Sequence, residues 1–355
     1  MSFISSLSTQ RTLRRAHKLH TRGDLQGALN CLTSANRKAE QAVYERAVVD
    51  LLLQSEPTNQ YVSSDTAHSD GTGQRLDIRQ GAIPEISAAD FSVGILRDAI
   101  RRSGHLIVRG MFDNTDVTPL RSCIDQALDA RVDAGEDKLE SESPWYYPSP
   151  HFPGEHAAYS ARNKTKKFNR TGSMKVIDSP RGSFRVLEMY RKYGLRQIVE
   201  AFFGEPAVLA TRKWVFRLVP PREVGTGIGG GWHQDGQFMG EGVRALNMWV
   251  ALSECGQGTP APGMTLLPKR IEEILEYGTR GAHLDWVVGG ELVEELARDA
   301  PVVNPYFAPG DALFFDHYSL HRSGHVRGQT ENRYALESWF YANSGTAENA
   351  VIELP

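Results

Sequence analysis

The chain has 355 residues, 40% of them apolar and 23% charged, with a formal net charge of -3. That is the composition of a globular protein with material for a substantial core. It argues against a disordered chain and gives no reason to expect a nucleic-acid partner. Three well-separated cysteines without a CxxC pair indicate neither a disulfide framework nor a zinc knuckle. No apolar run approaches the roughly 20 residues that a membrane helix needs, so no membrane partner is expected.

The opening stretch is basic, with no acidic residue before Asp24. Transit peptides share that bias, but the same residues read as an ordinary helix, and the expected location is cytoplasmic. Ala16, Leu19, Leu25, Ala28, Leu32 and Ala35 space out as two helices around a turn at Arg22-Gly23-Asp24. The pattern over residues 1–60 resembles a single tetratricopeptide unit. Such units need about three copies to be stable, so a helical hairpin packed on a larger domain is expected. Residues 61–75, rich in Ser, Asp and Gly, read as a linker.

The main domain is expected over residues 76–355. Ser87 is a candidate N-cap for a helix running to Arg102. His105–Gly110 reads as a buried strand, and further helices are expected over Val117–Ala134 and Val186–Phe203. Residues 137–172 combine Trp145, Tyr146 and Tyr147 with prolines and a basic run, a content suited to a lid over a polar or anionic substrate. Short strands punctuated by Gly and Pro dominate from Ala207 onward. They predict a mainly β fold with flanking helices, a jelly roll of the double-stranded β-helix, cupin-like kind. Helical turns at Ile271–Tyr277 and Glu291–Ala297 mark a second lid-like insertion over 269–300.

The chemistry concentrates in Trp232-His233-Gln234-Asp235-Gly236, approached through glycines at 225, 227, 229, 230 and 231. In extended chain, His233 and Asp235 share a face and Gln234 points away. An imidazole beside a carboxylate is two-thirds of the 2-His-1-carboxylate triad that holds non-haem Fe(II) with positions left open. Three downstream histidines, His317, His321 and His325, compete for the third place. A chelating 2-oxoacid needs a cation for its far carboxylate, and Arg333 follows on the next strand. That spacing, and the strand end at Ser323-Gly324, favour His321. On the last strand Glu337 and Trp339 share the face of Arg333 and, with Arg217, are candidate substrate contacts; Arg212, Lys213 and Arg217 would suit an anionic substrate or sit on the outer face. A buried Glu337 needs a partner, either Arg217 or a cationic substrate group.

His233-x-Asp235, the run Gly310-Asp-x-x-Phe-Phe315, Leu320-His321-x-Ser323-Gly324 and Asn332-Arg333-x-Ala335-Leu336 together resemble the phytanoyl-CoA dioxygenase family. The segments Leu246–Leu252 and Gly263–Pro268 are similar as well, and the resemblance spans about residues 75–342. It implies Fe(II), 2-oxoglutarate and O2 as cofactor and co-substrates on a double-stranded β-helix. His233, Asp235 and His321 would ligate the metal, while Arg333 and Ser323 would hold the distal carboxylate. Gln234, Trp249 and Lys175 match positions lining the co-substrate pocket. The intact Asp235 implies hydroxylation or a related oxidation of a small-molecule or carrier-bound metabolite, because halogenating relatives lack that carboxylate. A catalytically silent barrel that binds a ligand or partner is the alternative, and a cupin-type enzyme without a 2-oxoacid is a third, disfavoured by Arg333.

Overall fold

In the computed structural model the described residues are 3–55, 76, 78–79, 81–135, 143–147, 172–222, 231–240, 242–346 and 351–355. The linker 61–75 and nearly all of the 137–172 segment fall outside them.

The N-terminal region holds three helices rather than a hairpin: α1 (Phe3–His20), α2 (Leu25–Lys38) and α3 (Ala42–Gln54). Asp24 caps α2 by accepting from the Gly27 N–H. The third helix buries Tyr44, Val48, Val49, Leu51 and Leu52 and packs on α6 (Pro180–Lys192). Glu45, fully buried, accepts from Arg181 at 3.0 Å and from Asn36 at 3.2 Å. The charge is tolerated because guanidinium and amide both answer it.

Helix α4 (Val93–Ser103) starts later than expected: Ser92, not Ser87, caps it by accepting from Ile95 N–H. Gly104 ends it in the left-handed region at φ 80°. Helix α5 spans Asn114–Gly135. The single helix expected over 186–203 is two, α6 and α7 (Leu195–Phe203), broken where Gly194 takes φ 62°.

The strands are β1 (Glu85–Ser87), β2 (His105–Arg109), β3 (Gly172–Lys175), β4 (Ala207–Val219), β5 (Ala245–Ala251), β6 (Gly263–Leu266), β7 (Ala312–Asp316), β8 (His321–Gly324), β9 (Arg333–Ala342) and β10 (Val351–Glu353). The main sheet runs β1-β2-β7-β5-β9-β4-β10, with β3 also on β4. The opposing layer is the β6-β8 pair, extended by isolated bridges from His233 to His321 and from Leu266 to Val303. Two layers closing on one another make the double-stranded β-helix.

Period-two alternation sorts the two faces of the main sheet. Leu246, Met248, Val250, Phe314, Leu336 and Phe340 point to the helices and join their core. Trp249, Ala251, Leu313, Phe315, Ala335 and Trp339 point into the barrel, where Met264, Leu266 and Phe307 meet them. One expectation fails in the insertion. Residues 271–277 form no helix, only Gly290–Leu296 (α8) being helical there. Beyond it, 301–307 contributes bridges at Val303 and Phe307.

Candidate metal centre

His233 does not lie in a strand. It forms one antiparallel bridge with His321, and the chain enters a short 3-10 turn at Asp235. Gln234 between them is extended, at φ -113° and ψ 133°. That single extended residue puts His233 and Asp235 on one side, the outcome expected of a strand.

One ligand atom from each of His233, Asp235 and His321 lies within 4.8 Å of the others, the one such cluster among the described residues. Asp235 Oδ2 is 3.6 Å from His321 Nε2. Each imidazole uses Nδ1 on the backbone carbonyl two residues before it: His233 on Gly231 at 2.8 Å and His321 on Ser319 at 3.1 Å. With the Nδ1 proton fixed there, the Nε2 lone pairs face the carboxylate and are free to coordinate. Burial pushes the His321 imidazole down to about 4, so it is a neutral ligand near pH 7. For Asp235, burial acts upward, but His321, His233, Lys213 and Arg217 outweigh it and hold the carboxyl below its ordinary value. Two imidazoles, that of His321 neutral, and one carboxylate, with His321 and Asp235 buried and His233 partly so, fit a divalent iron.

The stretch leading to His321 is braced from several sides. Gly236 N–H donates to His317 O at 2.9 Å, and Gln234 Nε2 donates to Tyr318 O at 2.7 Å. Asp316 pairs with Arg270 and accepts from the Tyr318 N–H at 3.0 Å. His105, fully buried on β2, meets the Ser319 hydroxyl at 2.6 Å through Nε2. Sequence reasoning missed His105, whose only signal was a histidine inside an apolar strand.

Gln234 departs from the role implied by the resemblance. Both its amide protons go to the carbonyls of Glu273 and Tyr318, and its oxygen accepts from Leu275 N–H at 2.6 Å. The extended backbone turns it away from the metal ligands, so it braces the insertion rather than lining the co-substrate pocket. His317 and His325 stay outside the cluster, each held near 4 mainly by burial.

Arg333 is 3% exposed and points into the barrel from the start of β9. Its guanidinium donates to Gly263 O and lies 5.6 Å above the Trp249 ring. Nε has no partner, and no carboxylate among the described residues pairs with it. Burial pulls it down to about 10. A buried cation without an anion costs several kcal/mol, a cost that a bound dianion would offset. Ser323 shares a strand face with His321 and sits opposite Met264.

Glu337 and Arg217 form an ion pair at 2.8 Å, and Arg217 also donates to Ser173 Oγ at 2.6 Å. The sequence had named that partner. Lys175 ends β3 opposite Val215, on the face of Ser173. Trp339 is fully buried against Phe315.

A family model described as Phytanoyl-CoA dioxygenase (PhyH) matches residues 100–334. Among solved structures, EctD from S. alaskensis with 2-oxoglutarate and 5-hydroxyectoine is similar at 19% identity, covering 84% of this chain and 83% of that one, with a TM-score of 0.47. AviO1 from Streptomyces viridochromogenes Tue57 is similar at 16% identity, over 71% and 95% of the two chains, with a TM-score of 0.43. The epimerase SnoN in complex with Fe3+, alpha ketoglutarate and nogalamycin RO is similar at 17%, over 70% and 83%, with a TM-score of 0.40. No curated protein matches the chain. With the family model spanning more than half of its length and ending on the β9 strand that carries Arg333, the chain belongs to the phytanoyl-CoA dioxygenase family of iron- and 2-oxoglutarate-dependent oxygenases.

Proposed function

We propose that this oxygenase hydroxylates, or otherwise oxidises, a small-molecule or carrier-bound metabolite. The observation that carries the reading is the combination of the His233-Asp235-His321 cluster with a buried Arg333, paired with no carboxylate among the described residues, on the same barrel interior. A cation so placed is answered by the distal carboxylate of a 2-oxoacid chelated at the metal.

In this reading His233, Asp235 and His321 would hold Fe(II). Arg333 and Ser323 would hold the far carboxylate of 2-oxoglutarate, with Trp249 and Lys175 lining its pocket. Bound together, Fe(II) and 2-oxoglutarate supply the oxidising power, consuming O2 and releasing succinate and CO2. The protein contributes position and exclusion: Trp249 and Trp339 keep water from the inner wall, and the Nδ1 bonds hold both imidazoles at fixed angles. Asp235 fills the position a halide would need, which favours oxygen transfer over halogenation. The 269–300 insertion, tied to the metal turn through Gln234, covers the site, and 1–60 is an extension on the oxygenase unit of 76–355. The three free cysteines suit a reducing cytoplasm.

Succinate release from 2-oxoglutarate with Fe(II) and O2 tests the proposal, since such turnover proceeds slowly even without the prime substrate. A catalytically silent barrel gives none above an Asp235→Ala control.

A further inference from the structure

A chain of contacts leads outward from the metal ligands. The Trp286 ring packs edge-on against His233, with centroids 5.9 Å apart. Phe238, on the turn that begins at Asp235, meets Trp286 at 6.3 Å. Lys213 Nζ stands 5.7 Å from the Phe238 ring. Cation, aromatic wall and metal ligand are thus contiguous.

Two features of this chain are unusual. Phe238 is 51% exposed although it sits beside the buried Asp235 and the His233 ring's neighbour Trp286. Ile274, which adjoins Gly236 on the same turn, is 38% exposed. Uncovered large apolar groups gathered at a functional centre mark a surface that a ligand covers. The second feature is charge. Arg217 is answered by Glu337, and a metal held by His233, Asp235 and His321 would answer the Asp235 carboxylate, which Lys213 otherwise helps to hold in its charged form. Lys213 faces no carboxylate at ion-pair distance among the described residues, and a π face is a poor substitute for one.

We propose that the substrate is an amphipathic organic anion, its apolar body on Phe238, Trp286 and Ile274 and its anionic group on Lys213. This rests on the oxygenase reading above and deepens it. A lysine ammonium is a mobile point charge, suited to a monodentate anion at a mouth, whereas the rigid fork of Arg333 suits the co-substrate. A cationic substrate, one of the options the sequence left open for Glu337, meets a carboxylate already paired.

The test is equilibrium binding to the anaerobic Fe(II)–2-oxoglutarate protein, so that Arg333 is already engaged. The probes are 3-phenylpropanoate, 3-phenylpropanamide and 3-phenylpropylamine. The expected result is at least about fivefold tighter binding of the acid than of the amide, with the amine weakest. Lys213→Gln should erase that preference without changing amide affinity, and Phe238→Ser should weaken acid and amide alike. Equal binding of acid and amide, a preference surviving Lys213→Gln, or no binding of any probe overturns the proposal. The visible charge-transfer band of the Fe(II)–2-oxoacid chelate is recorded first. Its absence defeats the oxygenase reading, whereas its presence without acid preference defeats only the substrate class.

Discussion

His233 and His321 exchange both backbone hydrogen bonds, at 3.0 and 3.1 Å, and their rings lie 4.4 Å apart. Ligands separated by most of the barrel sequence are therefore held in register by two peptide groups, not by side chains alone. A slip of one residue would bring Arg322 to the place of His321 and end the site.

The ligand set follows from that bridge. Asp235→Ala and His321→Ala should each lower Fe(II) affinity beyond the roughly 10–100-fold that loss of a supporting partner costs. His317→Ala and His325→Ala should bind iron as the wild type does. Metal content after anaerobic reconstitution decides between the three histidines, and an iron-free His317→Ala protein would count against this assignment.

Ser319 links His105 to the metal turn. His105 Nδ1 donates to Ser103 O at 2.9 Å, so Nε2 accepts the Ser319 hydroxyl proton. Ser319→Ala leaves a buried lone pair unanswered and should cost about 1–3 kcal/mol in urea unfolding. Fe(II) affinity should fall about tenfold as the turn before His321 loosens. Unchanged stability would show that the contact is not formed in solution.

Gln234→Leu keeps size and removes three hydrogen bonds to the backbone of 273, 275 and 318. A loss of at least ~2 kcal/mol is expected, while affinity of the folded variant for 2-oxoglutarate should change little. Selective loss of 2-oxoglutarate binding at wild-type stability would restore this amide to the co-substrate pocket.

Such contrasts mark what the sequence could carry. Alternating apolar residues on β5, β7 and β9 made the barrel and its inner face legible, because period two is a local property. His321 was legible through its spacing to Arg333 and the strand end between them. The 3-10 turn at Asp235 was not, since one extended residue gives the same side-chain geometry as a strand. Nor was the break at Gly194, because the apolar face continues across it from Tyr190 to Ile198. His105 and Arg270 reach the metal turn from distant segments, and no local pattern announces a contact made only by folding.

Acid should weaken the metal-free protein through its buried histidines. Burial lowers His105 from 6.5 to about 4 in the fold, so the unfolded chain binds the extra proton between those values. Stability from this group is complete above pH 6.5 and is lost as pH falls toward 4, by roughly 3 kcal/mol for a fully buried imidazole. Urea midpoints measured from pH 7.5 to 4.5 should drop across that window, and less steeply in His105→Asn. A midpoint that held constant or rose would contradict the buried, neutral assignment.

The most direct measurement is an anaerobic titration of 2-oxoglutarate into the Fe(II) protein, wild type beside Arg333→Leu. The account predicts one 2-oxoglutarate per iron in the wild type. It predicts equal iron content in the variant and affinity for 2-oxoglutarate lower by about 100-fold or more, the scale on which removing one member of a buried charge pair acts. Arg333→Leu binding 2-oxoglutarate as tightly as the wild type would contradict it.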